Sequence, residues 1–82
     1  MLNNKTILVT GGTGSFGHQF VDYVFNHYKP KKVIIYSRDE YKQFIMNNEY
    51  GKYREILRYF IGDVRDEARL RMAMKGVDYV IH

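Results

Sequence analysis

Residues 6–17 read TILVTGGTGSFG, and this stretch decides the fold. Residues 6–9 are apolar or β-branched, which predicts a buried strand, and apolar residues between Phe16 and Tyr28 then recur at helical spacing. A glycine-rich turn between a strand and a helix directs free backbone N–H groups and the positive helix end at one point. That point suits a pyrophosphate group.

The glycines of this turn are spaced Gly11-x-x-Gly14-x-x-Gly17, unlike the G-x-G-x-x-G of many dinucleotide enzymes. We expect Gly11 to make the tight turn, Gly14 to let the backbone approach phosphates, and Gly17 to let the helix pack against the strand. Ser15 adds a hydroxyl and an N–H, and the N–H of Phe16 can face the phosphates. A purely structural turn is the alternative, but the flanking strand and helix favour a phosphate site.

The composition limits the chain to one small domain. It has 82 residues, 45% of them hydrophobic, and no cysteine, which excludes a disulfide framework and a thiolate metal site. The three histidines are dispersed and show no metal-ligand spacing. No apolar run approaches the ~20 residues of a membrane span, and no signal peptide precedes the first strand. We therefore expect a cytoplasmic protein with no membrane partner and no metal.

The net charge of +4 has two explanations. Between Lys29 and Arg58, eight basic residues stand against four acidic ones. This excess predicts either a solvated basic face or an attraction for a polyanionic small molecule. Because there is no arginine-rich tract and no helix-turn-helix pattern, we expect no nucleic-acid partner.

Strand and helix patterns alternate along the whole chain. Strands are predicted at 6–9, 32–36, 56–61 and 77–81, with helices between them that end near Pro30, near Asn48 and at Gly76. The order β-α-β-α-β-α-β predicts an α/β fold, the N-terminal portion of a Rossmann-type, doubly wound parallel sheet. No helix follows the final strand to cover it, so we expect residues 1–82 to be a truncated chain or a fragment of a longer one.

Some packing follows from the helical spacing. Asp66 is expected to cap the third helix, because an acidic residue suits the positive end. The residues expected to face inward are Tyr41, Phe44 and Ile45 in the second helix and Leu70, Ala73 and Met74 in the third. Core packing is also expected for Phe20, Phe25 and Phe60.

The end of the second strand predicts the cofactor. NAD enzymes usually place an acidic residue there for the ribose 2′-hydroxyl, whereas this chain has Ser37 and Arg38. An arginine can bind a 2′-phosphate through paired, charge-assisted hydrogen bonds, and Lys42 adds positive charge. Asp39 and Glu40 follow and are expected to begin the helix. These residues favour NADP over NAD; the alternative is a surface Arg38 paired with Glu40.

The end of the third strand carries Asp63 and Val64. A carboxylate here can accept a hydrogen bond from the adenine amino group while the Val64 backbone meets the ring. The alternative is an Asp63 that only caps a turn. His82, at the end of the fourth strand, lies near the expected path of a cofactor, although a lone histidine is more often structural.

Four motifs together resemble one superfamily. They are TGGTGSFG at 10–17, SRDEYK at 37–42, FIGDVRD at 60–66 and GVDYVIH at 76–82. The chain resembles an extended short-chain dehydrogenase/reductase and, more narrowly, the inverting UDP-N-acetylglucosamine 4,6-dehydratases that supply precursors of pseudaminic acid and related bacterial surface sugars. The resemblance covers the whole chain, which corresponds to about the first quarter of such an enzyme.

The resemblance implies roles for particular residues. It places Thr13 to Phe16 on the pyrophosphate, Ser37 to Lys42 on the 2′-phosphate side of the adenosine, and Asp63 and Val64 on the adenine. It also implies a resident NADP, a UDP-sugar substrate and a homo-oligomer. The tyrosine and lysine of hydride transfer would lie beyond position 82, and no Tyr-x-x-x-Lys occurs here, so no catalytic residue is expected in this chain.

Three other interpretations remain open. One is an NADP-dependent nucleotide-sugar epimerase or reductase of the same superfamily. Another is a non-catalytic dinucleotide-binding module that keeps the glycine turn without the catalytic pair. The third is a prematurely ended reading frame that does not fold stably.

Overall fold

A computed structural model describes all 82 residues as one parallel sheet with helices on both faces. The strands are β1 (Thr6–Thr10), β2 (Lys32–Ser37), β3 (Leu57–Ile61) and β4 (Tyr79–Ile81), in the spatial order β3-β2-β1-β4. The helices are α1 (Ser15–His27), α2 (Glu40–Glu49) and α3 (Glu67–Ala73), and a 3₁₀ turn covers Gly51–Tyr53. All pairings are parallel, which confirms the predicted α/β, Rossmann-type class.

The sheet buries both faces because alternate strand residues point to opposite sides. On one face, strand residues pack with Val21 and Val24 of α1 and with Met46 of α2; these strand residues are Ile7, Val9, Val33, Ile35 and Leu57. On the other face, Leu8 and Tyr36 pack with Ala73 of α3. Burial on two sides explains why β1 and β2 read as nearly continuous apolar runs.

The helix starts follow the predicted capping chemistry in two of three cases. The Asp39 side chain accepts a hydrogen bond from the Lys42 N–H at 3.0 Å, and α2 begins at Glu40, directly after Asp39. The Asp66 side chain accepts from the Arg69 N–H at 3.1 Å at the start of α3, as predicted. Gly14 precedes α1 and has no side chain to cap it.

The prediction for the inward side of α2 is wrong. Tyr41 is 70% exposed and Phe44 is 61% exposed, and Ile45 also lies outward. The buried residues of this helix are Gln43 and Met46. Gln43 decides which side of α2 faces the sheet, because its amide donates to Ser37 Oγ and to the Phe60 carbonyl at the ends of β2 and β3. The aromatic side chains of α2 therefore face solvent.

The prediction for the end of α3 is partly wrong. Ala73 is buried and Leu70 packs against the second core cluster, as expected. Met74, however, is 40% exposed, because α3 ends at Ala73 and Met74 is its C-terminal cap. Phe20, Phe25 and Phe60 do pack against the core as half-buried side chains.

The fourth strand begins two residues later than predicted. The Val77 N–H donates to the Met74 carbonyl, and Asp78 forms a reciprocal pair with Thr6. In that pair the Thr6 N–H donates to the Asp78 carboxylate at 2.9 Å, and the Asp78 N–H donates to the Thr6 carbonyl at 2.8 Å. Only Tyr79 to Ile81 then pair with β1. β4 is an edge strand, on which Tyr79 is 40% and Val80 44% exposed.

Candidate functional site

The carboxyl ends of the parallel strands lie side by side at one edge of the sheet. Thr10 pairs in register with Tyr36, and Ser37 with Ile61. The segments that leave these strands therefore start next to one another, and they carry most of the predicted site residues. In open α/β sheets ligands bind outside this carboxyl edge.

The glycine turn closes against the neighbouring strand. Gly11 has a φ of +64°, a conformation that favours glycine, and its N–H donates to the Tyr36 carbonyl at 2.8 Å. This confirms Gly11 as the residue of the tight turn. A Cβ on Gly17 would overlap the carbonyl group of Gly12, so Gly17 permits close packing of α1 against the turn. The prediction had placed that contact on the strand itself.

The turn presents a set of backbone donors. The N–H groups of five residues donate to no protein acceptor: Gly12, Thr13, Ser15, Phe16 and Gly17. A Cβ built on Gly14 would have its nearest neighbour at 3.8 Å, so the backbone at this position is open to close approach. Free N–H donors at a helix N-terminus are an arrangement that can bind an anion.

A cleft of about 320 Å³ opens beside the turn. It brings together residues from three segments: Gly11 after β1, the run Tyr36 to Arg38 at the end of β2, and the run Gly62 to Arg65 after β3. Besides Gly11 of the turn, four cleft residues were predicted to bind the adenosine or its 2′-phosphate, and they come from two segments that are distant in sequence. They are Ser37, Arg38, Asp63 and Val64.

Two arginines and one carboxylate set the charge of the cleft. Arg65 binds Asp63 with Nη2–Oδ2 at 2.9 Å and Nε–Oδ1 at 3.2 Å, and its backbone N–H donates to Oδ1 at 2.9 Å. Arg38 Nη1 lies 3.6 Å from Asp63 Oδ2, and the Arg38 side chain is 71% exposed. Hydrogen bonds from Arg65 and the nearby charge of Arg38 lower the pKa of Asp63 to about 2. The trio carries a net positive charge and leaves Arg38 available to an anion.

The pairing of Arg38 differs from the alternative considered above. Its salt bridge is with Asp63, and Glu40 takes no part in it. Asp63 also accepts the Arg65 N–H two residues on, so it does cap its own turn. A ligand amino group would share the Asp63 carboxylate with Arg65.

Two residues behind the cleft were missed by the sequence reasoning. Tyr36 is fully buried and its hydroxyl donates to the Asp63 carbonyl at 2.9 Å. Gln43 is 5% exposed, and its Nε2 donates to the Ser37 hydroxyl oxygen at 3.0 Å. Both read as ordinary strand and helix residues in the sequence, although a glutamine one helical turn after Asp39 was the available signal.

The other predicted residues lie outside the cleft. Thr13, Ser15 and Phe16 lie on the turn and at the start of α1, whereas Lys42 is exposed on α2. Asp39 and Glu40 share a shallow depression with Arg38, and the Asp39 carboxylate is bound to the Lys42 N–H. No cluster of side chains suits a metal ion, and no helix is both long and apolar enough to cross a membrane.

Known proteins have sequences similar to that of this chain. The model of a family described as polysaccharide biosynthesis protein matches residues 7–82. The chain belongs to this family. Over 82 residues it is 56% identical to the UDP-N-acetylglucosamine 4,6-dehydratase (inverting) of Campylobacter jejuni, covering 100% of this chain and 24% of that protein. It is 41% identical over 85 aligned residues to the UDP-glucose 4-epimerase of Rickettsia bellii, again covering 24% of the relative.

Solved structures show how widely the fold of this family is shared. The X-ray structure of Pen from Bacillus thuringiensis matches with a TM-score of 0.93 at 40% identity, over 99% of this chain and 25% of that chain. The NADPH-bound carbonyl reductase from chicken fatty liver matches with a TM-score of 0.73 at 21% identity, over 96% of this chain and 36% of that chain. The second likeness concerns the fold alone. The chain thus spans about a quarter of the length of its curated relatives.

The carboxyl edge of this sheet has the features that a dinucleotide requires. A dinucleotide needs donors for its pyrophosphate, a pocket for its adenosine and, for NADP, a cation beside the 2′-position. The turn supplies unpartnered N–H groups, the cleft lies directly beside Gly11, and Arg38 lies at the cleft with most of its side chain exposed. The residues present therefore fit the group.

Proposed function

We propose that the chain is the NADP-binding portion of a nucleotide-sugar 4,6-dehydratase that acts on UDP-N-acetylglucosamine with inversion at C5. The observation that carries this proposal is the 56% identity over all 82 residues to the inverting dehydratase. The role of the whole enzyme would be to supply precursors, those of pseudaminic acid among them, for bacterial surface glycans or glycosylated flagellin. The residues after the fourth strand would hold the catalytic and sugar-binding groups.

The cofactor assignment rests on charge and on free hydrogen-bond donors. The free N–H groups of the turn, those of Thr13, Ser15 and Phe16 among them, would hold the pyrophosphate. Ser37 and Arg38 would hold the 2′-phosphate. Asp63 and Val64 would line the adenine. When bound, NADP supplies reversible hydride transfer, while this chain binds and orients it.

Lys42, Asp39 and Glu40 have supporting roles in this proposal. Asp39 begins α2 through its bond to the Lys42 N–H, which fixes the backbone directly after Arg38. Lys42 adds positive charge to the same surface, and Glu40 lies with Arg38 and Asp39 around the shallow depression. Together they would shape the 2′-phosphate side.

A second candidate is a nucleotide-sugar epimerase. The 41% identity of this chain to the UDP-glucose 4-epimerase, over 24% of that protein, supports it. The two functions differ in what happens to the sugar: a dehydratase releases water and leaves a 4-keto-6-deoxy sugar, whereas an epimerase only inverts a hydroxyl.

The decisive experiment uses the protein at its native length, purified and incubated with UDP-N-acetylglucosamine and, separately, with UDP-glucose. We expect a product from UDP-N-acetylglucosamine that is 18 Da lighter, with a methyl signal at C6 in the proton NMR spectrum. A product of unchanged mass with an inverted C4 would favour the epimerase. Binding of NADPH without turnover of either sugar would favour a dinucleotide-binding module.

A further inference from the structure

Gln43 lies on α2 with its side chain buried against the ends of β2 and β3. Its Nε2 lies 3.0 Å from the Ser37 hydroxyl oxygen, 3.3 Å from the Ser37 carbonyl oxygen and 3.2 Å from the Phe60 carbonyl oxygen. The residue is 5% exposed and does not line the cleft. A long polar side chain in such a place is stable only because its amide is well bonded.

The acceptors fix which way the amide faces. Two of them are backbone carbonyls, which can only accept hydrogen bonds, so the atom facing them must be the NH₂ nitrogen. Ser37 Oγ then accepts from Gln43. A serine hydroxyl has a single hydrogen, and here that hydrogen cannot be directed at Gln43.

The hydroxyl hydrogen of Ser37 is therefore free for the cleft. Ser37 is 7% exposed, lines the cleft next to Arg38 and donates its hydroxyl to no protein acceptor. A donor beside an arginine suits a phosphate oxygen, which accepts but does not donate. A hydrogen bond received from an NH₂ group also strengthens the hydroxyl as a donor through polarisation.

We propose that Gln43 is a positioning residue that makes Ser37 a donor to the cofactor's 2′-phosphate and so contributes to the choice of NADP over NAD. This inference rests on the proposed function for its ligand. It goes further by assigning part of the specificity to a residue that never touches the cofactor. A ribose 2′-hydroxyl gains less from this arrangement, because it carries no charge.

The test is a double-mutant cycle in the protein at its native length. Gln43→Met keeps the length and burial of the side chain without the donor, and Ser37→Ala removes the hydroxyl. Asn48→Met, on the exposed side of α2, is the matched control. The dissociation constants for NADPH and NADH are measured by nicotinamide fluorescence, and thermal melting identifies any loss of folding.

We expect Gln43→Met to weaken NADPH binding about tenfold, the loss of one hydrogen bond to a charged group, with a much smaller effect on NADH. In a Ser37→Ala background the same change should have little further effect on NADPH. Equal losses for both cofactors, or full additivity of the two changes, would overturn the inference. A wild-type protein that binds neither cofactor would instead overturn the proposed function, and this inference with it.

A second measurement needs no variant and decides the question if Gln43→Met does not fold. The side-chain NH₂ signals of Gln43 are followed by NMR while adenosine 2′-monophosphate or adenosine 5′-monophosphate is added to the wild-type protein. We expect these signals to move with the 2′-phosphate and to stay nearly unchanged with the 5′-phosphate. Signals that respond equally to both, or to neither while the 2′-phosphate binds, would contradict the role.

Discussion

The hydroxyl of Tyr36 donates a 2.9 Å hydrogen bond to the backbone carbonyl of Asp63, so a residue of β2 holds the loop that follows β3. Tyr36 is fully buried and also stacks on Phe60, with ring centroids 5.8 Å apart. Burial raises the pKa of the Tyr36 hydroxyl, which keeps it protonated and able to donate. The loop carrying Asp63 and Val64 is thus anchored to the buried side chain of Tyr36.

Replacing Tyr36 by phenylalanine should loosen this loop. The change removes one hydrogen bond and leaves the Asp66 N–H as the remaining donor to the Asp63 carbonyl, at a cost of about 1 kcal/mol. We expect lower thermal stability and faster hydrogen exchange of the Gly62 N–H, which donates to the Ser37 carbonyl at 2.9 Å. Tyr59→Phe is the matched control, because the buried Tyr59 hydroxyl has no partner and its removal should be neutral or stabilising. Similar losses in both variants would contradict the proposed anchor.

Alanine at two glycines of the turn should separate folding from binding. Gly17→Ala places a Cβ onto the Gly12 carbonyl, and we expect it to cost roughly 3 kcal/mol or more. Gly14→Ala meets no close neighbour and should cost at most about 1 kcal/mol as a helix cap, yet weaken NADPH binding because it obstructs the approach of the phosphates. Thermal melting and fluorescence titration measure the two effects. A Gly14→Ala protein with unchanged NADPH affinity would argue against a pyrophosphate at this turn.

Arg38→Ala should discriminate between the two cofactors. The side chain is largely exposed at the cleft, and its loss removes a charged partner of the 2′-phosphate. We expect NADPH affinity to fall about tenfold or more while NADH affinity changes little. Arg71→Ala, which removes an exposed arginine paired with Glu67 on α3, serves as the control. Equal losses of NADPH and NADH affinity would remove the 2′-phosphate role.

Acid should release the Asp63–Arg65 pair over a defined pH range. The folded pKa of Asp63, about 2, lies below its ordinary value of 3.8, so its contribution to stability is complete above pH 3.8 and is lost as the pH falls through about 2. We expect the stability difference between wild type and Asp63→Asn to shrink as the pH is lowered through this range. Chemical denaturation at several pH values measures it. A difference that is constant from pH 4 to pH 2 would show that Arg65 does not hold the carboxylate ionised.

The chain of residues 1–82, expressed alone, should self-associate through β4. Tyr79 and Val80 are exposed on this edge strand, and unpaired strand edges recruit further strands. We expect gel filtration to show oligomers or aggregates, and weak cooperativity in urea. Val80→Lys should reduce the association by placing a charge on the strand. A sharp two-state transition from a wild-type monomer would count against this.

The sequence predicted most of the scaffold because its strong signals are local. The apolar runs located the strands within a few residues, Asp66 marked the start of α3, and Gly11 has the left-handed conformation expected of its turn. The neighbourhood of Ser37 and Asp63 was also predictable, since parallel strands end at the same edge.

The orientation of α2 was not predictable in this way. Its most hydrophobic residues, Tyr41, Phe44 and Ile45, face outward, while Gln43 and Met46 are buried. Apolar periodicity could not foresee this, because the inward side is decided by acceptors that belong to the ends of β2 and β3. For the same reason Gln43 went unnoticed as part of the site: its partners are set by tertiary structure.

The strand order β3-β2-β1-β4 also determines when β1 acquires its two neighbours during synthesis. β1 leaves the ribosome before β2, β3 and β4. Its neighbour β2 follows soon afterwards, but its second neighbour, β4, is made much later. Thr6 and Asp78, which are bonded to each other, are 72 positions apart. Until that distant segment emerges, one side of the strand leading into the glycine turn stays open. Since such long-range pairing is slow, this side of β1 is an open strand edge, the kind of surface at which nascent chains aggregate, until Asp78 and β4 have been made.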